Sequence, residues 1–286
     1  MSRNRAYISR LAIIGIAGWL AGFAFGEEGK SMREATTIRV DGSTTVGPII
    51  KEFAAYYMKN NPEANITVSE SGSGNGAKSL INGMCEVASM SRFMKDNEFK
   101  AAVDKGVFPV AHAIAVDGIA VVVHPANPLK GLKTEQVRDI YTGKITNWKQ
   151  VGGPDKAIIV ISRDTNSGTY ECFEELALNK EKMAKNVEYV GSNGAMRQRV
   201  QSTPTAIGFL GLGFVDRTVK ALEINEVAPN RQTVVSGRYS IARPLFLFTN
   251  GYPEMGTHLY ALVNLFLTRK GQEIIEAIGF VPVTDY

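Results

Sequence analysis

The chain has 286 residues, with 32 Lys and Arg against 28 Asp and Glu and a formal charge of +4. Three of the basic residues, Arg3, Arg5 and Arg10, stand ahead of an apolar run from Leu11 to Phe25, so removal of residues 1–26 would leave 29 basic against 28 acidic side chains. That balance excludes a compositional case for binding nucleic acid or a charged membrane surface.

The basic start, the apolar run and the small residues of Ala24-Phe25-Gly26 read as a secretory signal peptide over residues 1–26. Gly15, Gly18 and Gly22 interrupt the run, which is shorter than the ~20 apolar residues of a membrane span, with an uncleaved anchor as the alternative to cleavage. No cysteine follows it directly, so a lipid anchor on a new N-terminal cysteine is excluded. The 260 residues that remain suit one large domain or two lobes. Cys85 and Cys172 are either joined in an oxidising compartment or two buried free thiols, and spacing alone does not choose.

From Thr36 the chain alternates short β-branched runs with helical patterns. A strand at 36–40 runs into Asp41-Gly42-Ser43-Thr44-Thr45. The following helix sets Ile50, Phe53, Ala54, Tyr57 and Met58 on one face and ends at Asn60-Asn61-Pro62. A second strand at 66–68 leads through Ser71-Gly72-Ser73-Gly74-Asn75-Gly76 to a helix through Leu80 and Ile81. A third, 86–90, delivers Ser91-Arg92 and a charged helix from Lys95 to Lys105. The succession predicts an α/β fold with a largely parallel sheet and functional loops at the strand C-terminal ends.

The apolar run from Phe108 to Val123, broken by Asp117-Gly118, is two strands or one strand crossing between lobes. Further on, Thr134 is read as the cap of a helix through Val137 and Ile140. A buried apolar strand covers 158–161, and helices fit 171–178 and 195–201. Ala206 to Leu210 is a Gly-rich apolar segment, and Pro244 to Phe248 another apolar run. The last helix is expected to carry Leu259, Leu262, Val263, Phe266 and Leu267 on one core-facing side.

Three strand-to-helix turns share one chemistry: Ser43-Thr44-Thr45, Ser71-Gly72-Ser73-Gly74 and Asn166-Ser167-Gly168-Thr169. A helix start leaves backbone N–H groups unpaired and carries partial positive charge. Hydroxyls beside such starts, together with the planar donor fork of Arg163, can fill the lone pairs of an oxyanion taken out of water. Each turn singly reads as well as a cap, with Ser167 or Thr169 capping the helix that follows. Convergence of all three would make an anion pocket.

Competing motifs fail on particular residues. Gly72 to Ser79 approaches a Walker A loop, but Ala77 stands where the glycine before Lys78-Ser79 is required. The same stretch fits Gly-x-Gly-x-x-Ala of a dinucleotide fold without an acidic residue at the end of the next strand. His112, His124 and His258 lack metal-ligand spacing and default to packed or solvated side chains. No Gly-x-Ser-x-Gly nucleophile elbow is present.

Taken together, Asp41 to Thr45, Glu70 to Gly74, Ser89 to Arg92, Thr142 to Trp148, Arg163 to Thr169 and Ala242 to Leu245 closely resemble the phosphate-binding proteins of bacterial ABC phosphate importers, the shorter PstS-like type. The resemblance runs from about Thr36 to Val283. It implies a two-lobed periplasmic-binding-protein fold of type II. Lobe I would be 27–115 with 243–286, lobe II 116–242, and the hinge would lie near 111–119 and 241–248. It also implies a receptor that closes over inorganic phosphate and hands it to a membrane permease; with no visible base, metal cluster or cofactor motif it is read as a non-enzymatic periplasmic protein without cofactor, with monomer the default.

By position, the implied phosphate ligands are Thr44 and Thr45 in the first loop, Ser73 in the second, and Ser91 with Arg92 in the third. The other lobe would supply Arg163, Ser167, Gly168 and Thr169, with Ser43 and Ser71 as flanking candidates. Long members of the family place an aspartate where Ser91 stands, to accept the proton of hydrogen phosphate. The serine leaves sulfate, molybdate and tungstate open as ligands. An exported phosphatase on the same scaffold is the alternative of another class.

Overall fold

The computed structural model describes residues 37–284, so the signal peptide expected over 1–26 lies outside the described residues. Its first half runs β1 (Thr37–Gly42), α1 (Gly47–Asn60), β2 (Asn65–Ser69), α2 (Ser73–Ile81), β3 (Val87–Met90), α3 (Asp96–Asp104) and the long β4 (Pro109–Val123). There follow β5 (Gly131–Leu132), α4 (Thr134–Tyr141), β6 (Ile159–Arg163), α5 (Gly168–Leu176), β7 (Glu188–Val190), α6 (Asn193–Gln201) and β8 (Ala206–Gly211). The chain ends with β9 (Lys220–Ala221), β10 (Glu223–Ile224), α7 (Arg231–Val235), β11 (Ala242–Asn250), α8 (His258–Val263), α9 (Arg269–Ala277) and β12 (Val281–Pro282).

The main sheet is ordered β2-β1-β3-β11-β4-β8-β6-β7. Pairing is parallel toward both ends, β2-β1-β3 and β8-β6-β7, as the strand-turn-helix syntax predicts. It is antiparallel in the middle, so the sheet is mixed rather than largely parallel. The cause is the 108–123 run, which forms one strand and not two. Residues Pro109 to Gly118 of β4 pair with β11, whereas Ile119 to Val123 pair with β8. β4 therefore passes from one hydrophobic core to another. Ile114 and Ala115 pack with Ile38, Phe53, Val87 and Leu247, while Ile119, Val121 and Val123 pack with Tyr141, Trp148, Phe173 and Phe209. In this second core the Phe173 and Phe209 rings stack at 3.9 Å. A smaller cluster under α2 and α3 joins Leu80, Met90 and Met94 to Phe246 and Phe248.

Helix α1 buries the expected Ile50, Phe53 and Ala54, with Tyr57 and Met58 half-covered at its end. Each large apolar side chain so removed from water contributes roughly 1.5–3 kcal/mol before conformational entropy is counted. Two readings at helix ends are corrected. Thr134 is the first residue of α4 rather than its cap; Asn225, from a different loop, accepts from its backbone N–H and donates to its hydroxyl. The single last helix breaks after Val263 into a tighter turn over Asn264–Leu267, and this swings Leu267 outward to 65% exposure. A 3₁₀ stretch advances fewer residues per turn than an α-helix, so the apolar stripe loses its face there.

Candidate anion-binding site

The strand ends of both parallel segments point their loops toward one another, and glycine makes the approach possible. Gly42, at a φ of +136°, has Ser89 O only 2.1 Å from where a Cβ would stand. Gly72 has Asn166 O at 3.0 Å from that position and a φ of +101°. No L side chain fits either place without backbone displacement. Across the same gap Gly74 N donates to Asn166 O at 3.0 Å. The first turn of α2 is thereby joined directly to the loop before α5.

Most of the expected ligands meet here, buried. At the N-terminus of α5, the Cβ position of Gly168 lies 2.6 Å from Ser73 Oγ and 2.8 Å from Ser91 Oγ. Those two hydroxyls are 3.3 Å apart. One residue on, Thr169 Oγ1 is 3.0 Å from Thr45 Oγ1. Thr44 Oγ1 accepts from Arg163 Nη2 at 3.2 Å. Ser167 takes the role read from sequence as a cap, its Oγ accepting from Tyr170 N at 3.3 Å. Ser43 does the same locally for Thr45 N and Val46 N, where its short turn closes onto α1.

Two expected ligands are not brought into the set. Ser71 is exposed and donates to Asp41 Oδ1 at 2.7 Å, and Ser79 donates to the other oxygen of that carboxylate at 2.6 Å. Asp41 thus orients the loop ahead of α2 from behind. Arg92 turns its guanidinium away to Glu98 and Glu171. Asp164 Oδ1 accepts from Asn166 N within its own turn.

Three residues enter that were absent from the expected ligand set. Asn193, the first residue of α6 and fully buried, donates to Thr45 Oγ1 at 2.9 Å and Thr44 Oγ1 at 3.3 Å. Arg243 on β11 donates to Thr169 Oγ1 at 2.8 Å and to Asp117 Oδ2 at 3.2 Å. Asp117, facing Arg243 in register on β4, accepts from Leu212 N with its other oxygen.

The electrostatics follow from this inventory. Arg163 is 1% exposed and is held by the carbonyls of Val190 and Gly191, which bring no countercharge. Burial pulls its guanidinium down to about 10; Asp164 opposes this and the positive charge of Arg243 adds to it. Burial also pushes the Asp117 carboxyl up, against the pull of Arg243 and Leu212 N. Of the two buried guanidiniums, Arg243 is paired with the buried Asp117 carboxylate, whereas Arg163 is bonded to neutral oxygens. Arg163 Nη1 and Arg243 Nε and Nη1 are buried with no hydrogen-bond partner in the protein. Leaving charged donors unpaired away from water costs several kcal/mol, on the order of 1–3 kcal/mol or more per group. An anion accepting from them, with hydroxyls and the α5 N-terminus around it, removes that cost.

No nucleophile–base pair emerges in the set, since its hydroxyls bond to one another, to backbone, to Asn193 and to guanidinium. Among the described residues no group of three or more His, Cys, Asp or Glu could hold a metal ion. Cys85 and Cys172 are unpaired thiols; Cys85 is buried, and burial pushes it up to about 12.

Comparison with known proteins places this arrangement in a family. The model of the PBP superfamily domain matches residues 30–268. The phosphate-binding protein PstS of Borreliella burgdorferi is 31% identical over 89% of this chain and 92% of its own length. PstS of Bacillus subtilis is 31% identical over 92% and 84%. A Clostridium perfringens protein, assigned as a phosphate ABC transporter substrate-binding protein and crystallised with bound phosphate, superposes with a TM-score of 0.81 at 31% identity, over 87% of this chain and all of that one. An ABC-type phosphate transport receptor from Vibrio cholerae gives 0.71 at 30% identity, covering 85% and 99%. The order of strands, the buried hydroxyl and guanidinium set and these matches lead to one assignment: the chain belongs to the PBP superfamily, in its PstS-like family of phosphate-binding proteins.

Proposed function

We propose that this protein is an exported receptor that closes two lobes over inorganic phosphate and delivers it to the permease of an ABC importer. The observation that carries the reading is the pair of buried guanidiniums, Arg163 and Arg243, with three unpartnered nitrogens, and a carboxylate, Asp117, against Arg243. In this reading lobe I comprises 27–115 with 243–286 and lobe II comprises 116–242. The two cores joined by β4 support that division. Thr44, Thr45, Ser73, Ser91, Arg163, Gly168 and Thr169 bind the anion, joined by Asn193 and Arg243. Ser43 and Ser167 hold the backbone of their loops.

The receptor acts as a monomer in the periplasm and performs no catalysis; its relatives carry the names of binding and transport proteins. No helix among the described residues is long and apolar enough to cross a membrane. Ser91 supplies a hydroxyl acceptor for the proton of hydrogen phosphate, bonded to Ser73, in the place where a carboxylate would repel a fully deprotonated anion more strongly.

The test is calorimetric titration of the chain from Glu27, stripped of anion by unfolding and refolding, with phosphate and then sulfate. The expected result is a dissociation constant of about 1 µM or tighter for phosphate, about −8 kcal/mol, with sulfate at least ~100-fold weaker. Equal binding of sulfate would make it a general oxyanion receptor, and binding of neither would end the receptor reading.

A further inference from the structure

We propose that Arg92, Lys95, Glu98 and Glu171 form an ionic latch across the cleft that sets the residence time of the bound anion, an inference that rests on the receptor reading above. Arg92 follows β3, where Met90 and Met94 belong to the core under α2 and α3. Glu171 lies in the first turn of α5, whose Phe173 belongs to the opposite core. Arg92 Nε is 2.8 Å from Glu171 Oε2, close enough for an ion pair although not aligned as a hydrogen bond. Lys95 Nζ is 2.9 Å from the same oxygen. Both cations that meet Glu171 therefore come from the other side of the cleft.

The latch is set in advance on one side. Glu98 holds Arg92 through two bonds of 2.7 Å, Nη1 to Oε2 and Nη2 to Oε1, and Nη1 also donates to Phe93 O at 2.9 Å. The guanidinium keeps this posture on its own lobe whether or not α5 has arrived. Two cations and two carboxylates sum to zero when the lobes meet, whereas separation leaves Glu171 with neither cation. The Arg92 and Glu171 side chains are 6% and 16% exposed, so salt screens this contact less than an ordinary surface pair. Its position ties it to the ligand, because Arg92 adjoins Ser91 and Glu171 stands two residues after Thr169. Hence Arg92 is an affinity-setting residue that acts through closure rather than by touching phosphate.

The experiment uses the exported chain and two readouts. One is association and release of radiolabelled phosphate by rapid filtration. The other is hydrogen exchange at the Gly74 amide, whose bond to Asn166 O spans the same gap and must break when the lobes part. Glu171→Gln should speed release ~10-fold, leave association within about threefold, and speed Gly74 exchange to a similar extent. Lys95→Met removes only the more exposed cation and should speed release roughly two- to threefold. In the Glu171→Gln background, Arg92→Gln should change release less than about twofold, since its route of action is already cut.

Release and Gly74 exchange unaltered by Glu171→Gln would overturn the latch. Multiplicative effects of the two substitutions would also overturn it and place Arg92 on the anion. Should the unmutated chain bind no phosphate, the receptor reading falls, and Gly74 exchange alone then decides for or against the latch.

Discussion

Replacing Arg163 by Met separates ligand capture from folding, because the buried guanidinium acts on the two in opposite directions. Its Nη1 is buried without a protein partner and can offer two N–H bonds to an anion. Charge-assisted bonds at ~1.5–3 kcal/mol each give a loss of about 3–6 kcal/mol, a rise in Kd of roughly 10²–10⁴. The effect on ligand-free stability is smaller, because two contributions oppose each other. A guanidinium lowered from 12.5 to about 10 is disfavoured as the charged form in the folded state. It therefore destabilises the fold by ~3 kcal/mol below pH ~10, a cost that disappears as pH rises through the window between those two values. Deleting the group removes that cost but leaves the carbonyls of Val190 and Gly191 without their donor, at ~1–3 kcal/mol each. The net change without phosphate thus lies between about 1 kcal/mol gained and about 3 kcal/mol lost, at ~2–4 °C in Tm per kcal/mol.

The assay is thermal unfolding with and without 1 mM phosphate, a concentration ~1,000-fold above a Kd of ~1 µM. Unmutated protein gains ~4.1 kcal/mol, or about 8–16 °C at this chain length. Arg163→Met should gain no more than ~1.4 kcal/mol. A phosphate-induced shift in the variant equal to that of the parent would refute the assignment of Arg163 to the anion.

Gly168→Ala places a methyl 2.6 Å from Ser73 Oγ and 2.8 Å from Ser91 Oγ, so phosphate affinity measured by calorimetry should fall at least ~100-fold while circular dichroism is unchanged. Asn193→Asp exchanges the amide that donates to Thr44 and Thr45 for a carboxylate; equilibrium dialysis should show phosphate binding weakened by ~100-fold or more, and sulfate weakened likewise. The buried Cys85 thiol, held at about 12, should resist iodoacetamide at pH 8. Cys172, whose Sγ lies 3.6 Å from Ser91 O across the cleft, should be alkylated in free protein and protected by phosphate, as peptide mass spectrometry can read.

Legibility in the sequence tracked how local each feature is. The hydroxyl turns and Arg163 could be read because strand, turn and helix start are consecutive, so residue type and backbone role appear together. By the same logic Asn193 was within reach: Gly191-Ser192-Asn193-Gly194 repeats the pattern between β7 and α6, but its three-residue strand carries too little periodicity to announce itself. Arg243 and Asp117 sit in mid-strand, where no turn marks them. Their signal is that each interrupts a buried apolar run with a charge of opposite sign, which two buried strands tolerate only when they pair. The direction of Arg92 had no sequence signal at all. It is held by Glu98 in the first turn of α3 and met by Glu171, 79 positions away, only once the chain has folded. Likewise the break after Val263 could not be seen from hydrophobic spacing, since the 3₁₀ turn disturbs the face and not the residue types.

The pairing of β4 with β11 places Asp117 opposite Arg243 on the two strands that run between the cores, and Arg243 reaches Thr169 from there. In the two-lobed reading proposed above, the joint and the wall of the anion chamber are therefore one piece of backbone. A receptor built in this way cannot have its stiffness tuned without retuning its affinity, so substitutions along Ile114 to Gly118 or Leu245 to Phe248 that never approach the anion will still change how tightly it is held. For anyone converting the protein into a phosphate sensor, these strands are the segment to leave alone, and reporter groups belong on the outer helices.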